Sequence, residues 1–268
     1  MLFIRSLAFN LVFIIATLLQ MLLYAPVYFL LPHRYAWFFP KLWAKVSLFL
    51  LKLIAGIDMR IEGLEHLPKG KSYVIAPKHQ SAWETFALLP YLDDPTYILK
   101  RELMWIPGFG SYMYKMGMIP INRGAPIRAL KQIISAAKQK IAIGRQILIF
   151  PEGTRREPGA EPDYKIGIVS IYESLKIPVV AIAHNAGLYW PKGSFFKYKG
   201  TIKVKILPAI EAGLDKKIFL KTLIERTETA CDELLLSAAQ QAPKPPMPLA
   251  ARIRLAQLAK GKANDTTK

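Results

Sequence analysis

The chain has 268 residues with 37 lysines and arginines against 19 acidic residues, a formal net charge of +18, and 52% of its residues are hydrophobic. The charge indicates anionic partners, and the high apolar content favours a membrane surface over nucleic acid, so no nucleic-acid partner is expected. Cys231 is the single cysteine, which excludes a disulfide within the chain and leaves no cysteine cluster for a metal. No metal site is therefore expected.

The first thirty residues form the most apolar segment. Within residues 7–31 tyrosine is the only ionisable residue type, and this run exceeds the roughly 20 residues that span a bilayer core as a helix. A cleaved signal peptide is the alternative, because Arg5 supplies a basic start, but no small-x-small cleavage site is evident. Pro26 and Pro32 would interrupt a straight helix, so a simple span and a re-entrant or hairpin arrangement both stay open.

The next segment, residues 35–56, predicts a helix lying at the level of the lipid headgroups. Lys41, Lys45 and Lys52 fall within one narrow arc of this helix, and aromatic residues cover much of the rest. A core helix with lysines reaching the solvent is the alternative. We expect membrane-embedded and interfacial helices over residues 1–55. Basic residues follow the apolar run more than they precede it, which places the rest of the chain on the cytoplasmic side.

After residue 56 short β-rich runs alternate with amphipathic helical patterns. The strand-like runs are IDMRIEG, SYVIAP, TYILK, MIPIN, QILIFP, PVVAIAH and TIKVKIL. Helices are predicted over residues 83–91, 102–116, 126–143, 164–175 and 215–239. This alternation predicts an α/β domain over residues 56–242, with a largely parallel central sheet flanked by helices. Residues 243–268 begin with a proline-rich linker and predict a basic, flexible tail, in which a short helix over 249–258 is an option.

A polar break follows the second predicted strand and reads KHQSAWE. Ser81 and Glu84 have the S-x-x-E spacing of a capping box, which would make Glu84 structural and His79 an incidental loop histidine. The alternative is chemical, because an imidazole can accept a proton near neutral pH and a carboxylate can orient it. With Ser81 as the helix cap, His79 precedes the helix and Glu84 lies in its first turn. The two side chains can therefore meet under either hypothesis.

Arginines follow two further predicted strands. FPEGTR covers residues 150–155, and Arg123 ends the run GMIPINR. Glycine lets a backbone approach a ligand, and the arginine fork matches phosphate or carboxylate oxygens. Either run alone could be a solvated turn. Because the carboxyl ends of parallel strands share one edge of a sheet, the arginines and His79 together predict one anion-binding site.

In this order the motifs resemble the glycerolipid acyltransferase family, specifically the bacterial 1-acyl-sn-glycerol-3-phosphate acyltransferases. KHQSAWE matches the family's N-H-x-x-x-x-D block, GMIPINR its G-x-x-F-I-x-R block, and FPEGTR its third block in full. IPVVA corresponds to the family's V-P-[IV]-[IV]-P strand. Three positions depart from the family pattern: Glu84 replaces aspartate, Pro120 replaces an aromatic, and Ala181 replaces a proline.

The resemblance implies a role for each matching residue. His79 would be the catalytic base and Glu84 its partner. The substrate-binding set would comprise Arg123, Glu152, Gly153, Thr154, Arg155 and Lys165. Because Glu152 would repel a phosphate, we expect it to bond an arginine or a substrate hydroxyl. Lys78 and Arg156 are assigned to a solvated basic rim, and His184 is interpreted as an ordinary strand-end histidine.

The implied reaction moves a fatty acyl group from acyl carrier protein or acyl-CoA to the sn-2 hydroxyl of lysophosphatidic acid, giving phosphatidic acid. No cofactor is expected, since the thioester is a co-substrate. Anionic membrane lipids are expected partners, at the inner membrane with the site on its cytoplasmic face. Two alternatives stay open: acylation of another lyso-lipid, such as lyso-ornithine lipid or a lysophospholipid, and a membrane lipid-binding protein that lacks catalysis.

Overall fold

The structure, a computed structural model, describes residues 1–122 and 126–265. Its strands are β1 (Ile57–Glu62), β2 (Val74–Pro77), β3 (Pro95–Lys100), β4 (Ile119–Ile121), β5 (Gln146–Leu148), β6 (Val179–His184) and β7 (Gly200–Ile206). The α-helices are α1 (Leu2–Leu30), α2 (His33–Ala36), α3 (Phe38–Leu50), α4 (Glu84–Ala87), α5 (Phe109–Lys115), α6 (Pro126–Ile141), α7 (Gly167–Leu175), α8 (Ala186–Tyr189), α9 (Lys216–Ala239) and α10 (Leu249–Asp265). A π-helical turn, Leu51–Ala55, continues α3.

The seven strands form one sheet in the order β1-β7-β6-β2-β5-β3-β4. All neighbouring strands are parallel except β6 and β7, which pair antiparallel. The predicted α/β fold with a largely parallel sheet is confirmed, and each of the seven predicted strand runs contains a strand. Because β7 runs antiparallel to β6, the segment that joins them lies at the same sheet edge as the carboxyl end of β2. His79 follows β2 at that edge.

Helices cover both faces of the sheet. Along β2, Val74 and Ala76 contact the core beneath α6, α7 and α9, whereas Ile75 contacts the core beneath α1, α3 and α4. Successive side chains of a strand point to opposite faces, and a parallel strand buried on both faces needs apolar residues throughout. This is why the β2 and β6 runs are continuously apolar and not alternating.

The amino-terminal segment forms an antiparallel helical hairpin, one of the arrangements that the prolines left open. The indole of Trp43 on α3 donates to Thr17 on α1 at 3.0 Å, and Phe39 lies against Tyr24 with ring centroids 5.0 Å apart. Helix α1 passes through Pro26 and ends just before Pro32. Among the described residues α1 is the one helix long and apolar enough to cross a membrane.

Both ends of α1 rest on the α/β domain. Near its start, the Ser6 hydroxyl accepts a hydrogen bond from the Lys197 backbone N–H at 2.9 Å. Near its end, the Tyr28 ring stacks on Tyr112 with centroids 4.3 Å apart. At 1.5 Å per residue these contacts lie about 33 Å apart, so the domain follows the helix along most of its length.

The aromatic residues in the second part of the hairpin lie in two different environments. Phe38 and Phe49 are each 62% exposed, as expected at a lipid surface. Trp37 and Trp43 instead face inward and line an internal cavity. Trp37 is fixed there because its indole donates to Asp94 at 2.5 Å, and the same carboxylate oxygen binds Arg145 at 2.9 Å.

Several predicted elements have different boundaries in the structure, among them the following two. The helix predicted over residues 102–116 is divided at Pro107 and Gly108, because proline disfavours helical geometry in the residue before it and Gly108 adopts φ +75°. The carboxyl-terminal tail, predicted to be flexible, contains the helix α10. That helix packs on α9, with Ala251 buried and Arg254 bonded to Asp232 at 2.6 and 2.9 Å.

Candidate active site

His79 lies in the loop after β2, beside the first turn of α4. Its Nδ1 is 2.8 Å from Oε1 of Glu84, and its ring stacks on Phe150 with centroids 4.0 Å apart. The imidazole is 13% exposed, whereas the Glu84 side chain is fully buried. When Nδ1–H donates to Glu84, Nε2 carries the lone pair, and the carboxylate stabilises the imidazolium that forms when Nε2 takes a proton.

The loop backbone holds Glu84 in place. Its carboxylate accepts hydrogen bonds from the N–H of Gln80 at 2.9 Å and from the N–H of Ser81 at 2.8 and 3.1 Å. The Ser81 hydroxyl accepts from the Trp83 N–H at 3.2 Å and donates to the Trp190 carbonyl at 2.6 Å. Glu84 therefore bonds the Ser81 N–H as in a capping box, and it bonds the histidine as well. Ser81 is not the helix cap that was expected, because its hydroxyl bonds the Trp83 N–H and the helix begins at Glu84. The structural and chemical interpretations describe one geometry.

Glu152 supports His79 from behind. One carboxylate oxygen accepts from the His79 backbone N–H at 2.9 Å, and the other binds the Lys78 ammonium at 2.7 Å. Lys78 also binds Glu228 of α9 at 2.9 Å. Two expectations need correction here. Glu152 bonds a lysine and a backbone N–H instead of an arginine or substrate hydroxyl, and Lys78 is 4% exposed instead of lying on a solvated rim.

Lys78 stays charged in this buried position because two carboxylates bind it. Burial alone would lower the pKa of Lys78, but the neighbouring negative groups outweigh burial, and the net shift is upward. Burial raises the pKa of the nearby Cys231 thiol, so this thiol is neutral at pH 7. The negative groups that raise the pKa of Lys78 are therefore Glu228 and Glu152. Tyr164 adds a hydrogen bond to Glu228 at 2.8 Å. A buried charge with well-placed partners is a rigid element.

His184, at the end of β6, has a structural position. Its Nε2–H donates to the Lys78 carbonyl at 2.9 Å, and its Nδ1 accepts from the Ala186 N–H at 3.3 Å. The ring is fully buried, and burial lowers the pKa of His184, so it stays neutral. A neutral histidine with both nitrogens engaged fits the strand-end interpretation, and it holds the backbone that precedes His79.

The FPEGTR loop forms one wall of the site. Gly153 turns the chain with φ +67° and donates its N–H to the Phe150 carbonyl at 3.0 Å. Gly153, Thr154 and Arg155 line the cavity next to His79. Lys165 is 57% exposed and binds Asp163 at 2.7 Å, so it does not line the same wall. Arg156 is half-buried and lies 3.4 Å from Asp163. Arg123 lies outside the described residues.

A cavity of about 550 Å³ opens in front of His79. Part of its lining is polar and includes the basic side chains of Arg155, Lys192 and Lys100. The remainder is apolar and is formed by the hairpin together with α5 and β3. Its lining there includes Met21, Tyr24, Trp37, Phe39, Trp43, Leu103, Phe109, Met113, Met116 and Met118. A polar mouth beside a deep apolar chamber accommodates a ligand with a charged head and a long hydrocarbon chain.

Several residues of the site escaped the sequence analysis. Glu228 lies 150 positions from Lys78, and no local pattern connects them. Lys192 donates to the Arg155 carbonyl at 3.1 Å from a segment without a recognised motif. Lys78 could have been recognised as buried, because it directly follows a strand whose four residues are all buried. The aromatic lining from the hairpin was assigned to lipid contact.

Comparison with known proteins gives the same assignment. A model of the family described as Acyltransferase matches residues 58–185. The chain is 37% identical over 222 residues to the 1-acyl-sn-glycerol-3-phosphate acyltransferase of Pseudomonas aeruginosa, and the alignment covers 82% of this chain and 86% of that protein. The chain belongs to the acyltransferase family. It is also 27% identical over 169 residues to the human 1-acyl-sn-glycerol-3-phosphate acyltransferase alpha, covering 62% of this chain and 59% of that one.

A solved acyltransferase has the same fold. The crystal structure of the 1-acyl-sn-glycerophosphate acyltransferase PlsC from Thermotoga maritima superposes with a TM-score of 0.73 at 23% identity. The match covers 87% of this chain and 99% of that structure. The shared fold therefore includes nearly all of the Thermotoga acyltransferase.

Proposed function

We propose that this acyltransferase transfers a fatty acyl group from a thioester donor to the sn-2 hydroxyl of 1-acyl-sn-glycerol-3-phosphate and forms phosphatidic acid. The observation that carries the proposal is the His79–Glu84 pair at 2.8 Å, facing a cavity with a basic mouth and an apolar chamber. The P. aeruginosa relative bears the name of this activity. Arg155 is the described cation best placed for the phosphate, and Arg123 is proposed as its companion.

The chemistry follows from the orientation of His79. The acceptor hydroxyl gives its proton to Nε2 as its oxygen attacks the thioester carbonyl carbon. Collapse of the tetrahedral intermediate breaks the carbon–sulfur bond, and the imidazolium returns the proton to the departing thiolate. Glu84 stabilises the imidazolium between these two steps. The substrate supplies the nucleophile, so the protein needs no covalent intermediate.

We further propose acyl carrier protein or coenzyme A as the donor, without a cofactor, and anionic lipids as the surrounding surface. The net charge of +18 supports all three anionic partners. The proposed location is the inner membrane, with the site on the cytoplasmic face. Arg5 precedes the apolar run and Arg34, Lys41, Lys45 and Lys52 follow it, and basic residues beside a membrane segment favour the cytoplasmic face. Because both ends of α1 rest on the domain, the hairpin is proposed to lie in one leaflet.

The test is acyl transfer by the purified full chain with labelled lysophosphatidic acid and both donors. Wild type should form phosphatidic acid with at least one donor, and His79→Ala should lower kcat by about 10²- to 10⁴-fold, the contribution of a general base. Lyso-ornithine lipid and lysophospholipids serve as competing acceptors. Faster transfer to one of these lipids would show that it, and not lysophosphatidic acid, is the acceptor. Binding without transfer to any acceptor would refute the proposed activity.

A further inference from the structure

A segment outside every motif carries the surface feature that the catalytic assignment leaves unexplained. Residues 190–199, here called the aromatic loop, connect α8 to β7 and read WPKGSFFKYK. Phe195 and Phe196 are 40% and 37% exposed at adjacent positions. Because β7 runs antiparallel to β6, this loop lies at the sheet edge that carries His79.

The aromatic loop is attached to the start of α1. Asn10 donates its side-chain N–H to the Phe195 carbonyl at 3.0 Å, and Ser6 accepts from the Lys197 N–H at 2.9 Å. The Phe3 and Phe195 rings lie 5.5 Å apart. Two of the few polar side chains of this apolar helix are therefore used to hold the loop.

These bonds show which side of α1 faces the protein. Ser6 and Asn10 point to the domain, so the exposed apolar residues on the remaining sides of the helix can contact lipid. Near the loop the exposed apolar residues are Phe3, on the same face as Asn10, and Ile4, on the opposite side, and they are 57% and 65% exposed. The aromatic pair of the loop continues this apolar surface through the contact between Phe3 and Phe195.

Lysines flank the aromatic pair. Lys192 and Lys199 are exposed, and Lys192 also reaches the Arg155 carbonyl at the cavity mouth. Lys197 is buried and shapes the turn: its ammonium donates to the Phe195 carbonyl at 2.9 Å and lies 4.7 Å from the centre of the Trp190 ring. Burial lowers the pKa of Lys197 to about 8. Aromatic residues with flanking lysines have the composition of an interfacial lipid-contact element.

We propose that the aromatic loop is a second membrane-contact element, in which Phe195 and Phe196 insert at the acyl-chain boundary and Lys192 and Lys199 bind the phosphates of anionic lipids. Continuity with the apolar side of α1 and the charge of the flanking lysines carry this assignment. Insertion would hold the cavity mouth, which Lys192 joins to the loop, at the level of a lipid headgroup. The inference goes beyond the proposed reaction and does not depend on it.

Lipid-dependent quenching tests the insertion without any catalytic readout. A fluorophore is attached to Phe196→Cys in full-length protein carrying Cys231→Ser, reconstituted with vesicles of phosphatidylethanolamine and phosphatidylglycerol that contain spin-labelled lipid. The matched control is Ile143→Cys, which is 71% exposed in the turn before β5, at the opposite edge of the sheet. We expect the label at 196 to be quenched severalfold more than the label at 143. Equal quenching would overturn the proposal.

A second variant links insertion to substrate capture. Phe195→Ser/Phe196→Ser should raise the KM for vesicle-embedded lysophosphatidic acid by about tenfold with kcat retained, and should not change the KM for the same lipid in detergent micelles. Ile143→Ser is the control and should change neither. If the label at 196 is shielded by acyl carrier protein and not by lipid, the loop is a protein-docking surface and the membrane proposal is wrong.

Discussion

The two sides of His79 differ in almost every physical respect. Behind it, charged side chains are packed without solvent: Lys78 and Glu152 are 4% and 0% exposed and bond each other and the histidine backbone. In front of it lies a cavity of about 550 Å³ with a largely apolar lining that includes flexible methionines and aromatic rings. Buried ion pairs have one satisfactory geometry, whereas methionine packing adapts to different volumes. We therefore propose that the polar side holds His79 in place and that the apolar side selects the substrate.

The largest expected effect comes from breaking the polar side at Glu84. Glu84→Gln removes the charge opposite Nδ1 and should lower kcat by about 10²- to 10⁴-fold, because the correct tautomer and the imidazolium both lose support. The KM for lysophosphatidic acid should change little. Steady-state kinetics check this, with Glu84→Asp as the matched variant that keeps the charge. Full activity in Glu84→Gln with a loss in Glu84→Asp would show that side-chain length, and not charge, is decisive.

A change at Lys78 should mainly affect stability. Lys78→Met leaves Glu152 and Glu228 buried without their cation, and the free energy of unfolding should fall by about 3–5 kcal/mol. Urea unfolding of the detergent-solubilised protein measures this. The double variant Lys78→Met/Glu228→Gln removes one stranded charge and should recover part of the loss. A double variant less stable than the single one would contradict the assigned role of Glu228.

Substitutions in the apolar part of the cavity should change the preference for acyl-chain length. Met118 lines the cavity and is 8% exposed, which places it deep in the chamber. Met118→Ala should favour longer acyl donors and Met118→Phe shorter ones, shifting the ratio of kcat/KM between a 16-carbon and a 12-carbon donor by roughly tenfold in opposite directions. Competition assays with mixed donors measure the ratio. Parallel losses for both donors would place Met118 outside the acyl path.

The smallest effect is expected at the ion pair that joins α10 to α9, which does not line the cavity in front of His79. Arg254 and Asp232 form a two-point ion pair, but their side chains are 34% and 16% exposed, so solvent weakens it. Arg254→Met should cost about 0.5–1 kcal/mol of unfolding free energy and leave acyl transfer unchanged. Urea unfolding and the transfer assay provide the two readouts. A loss of several kcal/mol would give the tail a larger part in the fold than its exposed pair suggests.

The contact between His79 and Glu84 and the position of the FPEGTR loop could be predicted because the signals are local. His79 and Glu84 lie five positions apart around one helix start, and FPEGTR is contiguous with its strand. The seven strands could be predicted for a similar reason, since each is a short apolar or alternating run. Glu152 was assigned the wrong partner because the lysine that binds it is defined by the pairing of β2 with β5 and not by sequence neighbourhood.

In the amino-terminal helices the sequence likewise predicts the type of segment but not which side chains face inward. Composition correctly marked residues 7–31 as membrane-compatible, and the prolines left a hairpin open. Composition could not distinguish the exposed Phe38 from Trp37, which lines the cavity, because the two residues are adjacent and both aromatic. Only the position of Asp94, supplied from the turn before β3, determines which ring turns inward.

Periodicity, composition and short motifs were enough to predict the alternation of strands and helices, the apolar amino terminus and the pairing of His79 with Glu84. The tertiary structure decided what surrounds those side chains. Packing brought Glu228 to Lys78 across 150 positions, and it formed the cavity wall from a hairpin distant in sequence. The reversal of β7 placed Phe195 and Phe196 beside α1. Such contacts depend on which surfaces meet, and a linear pattern does not encode that.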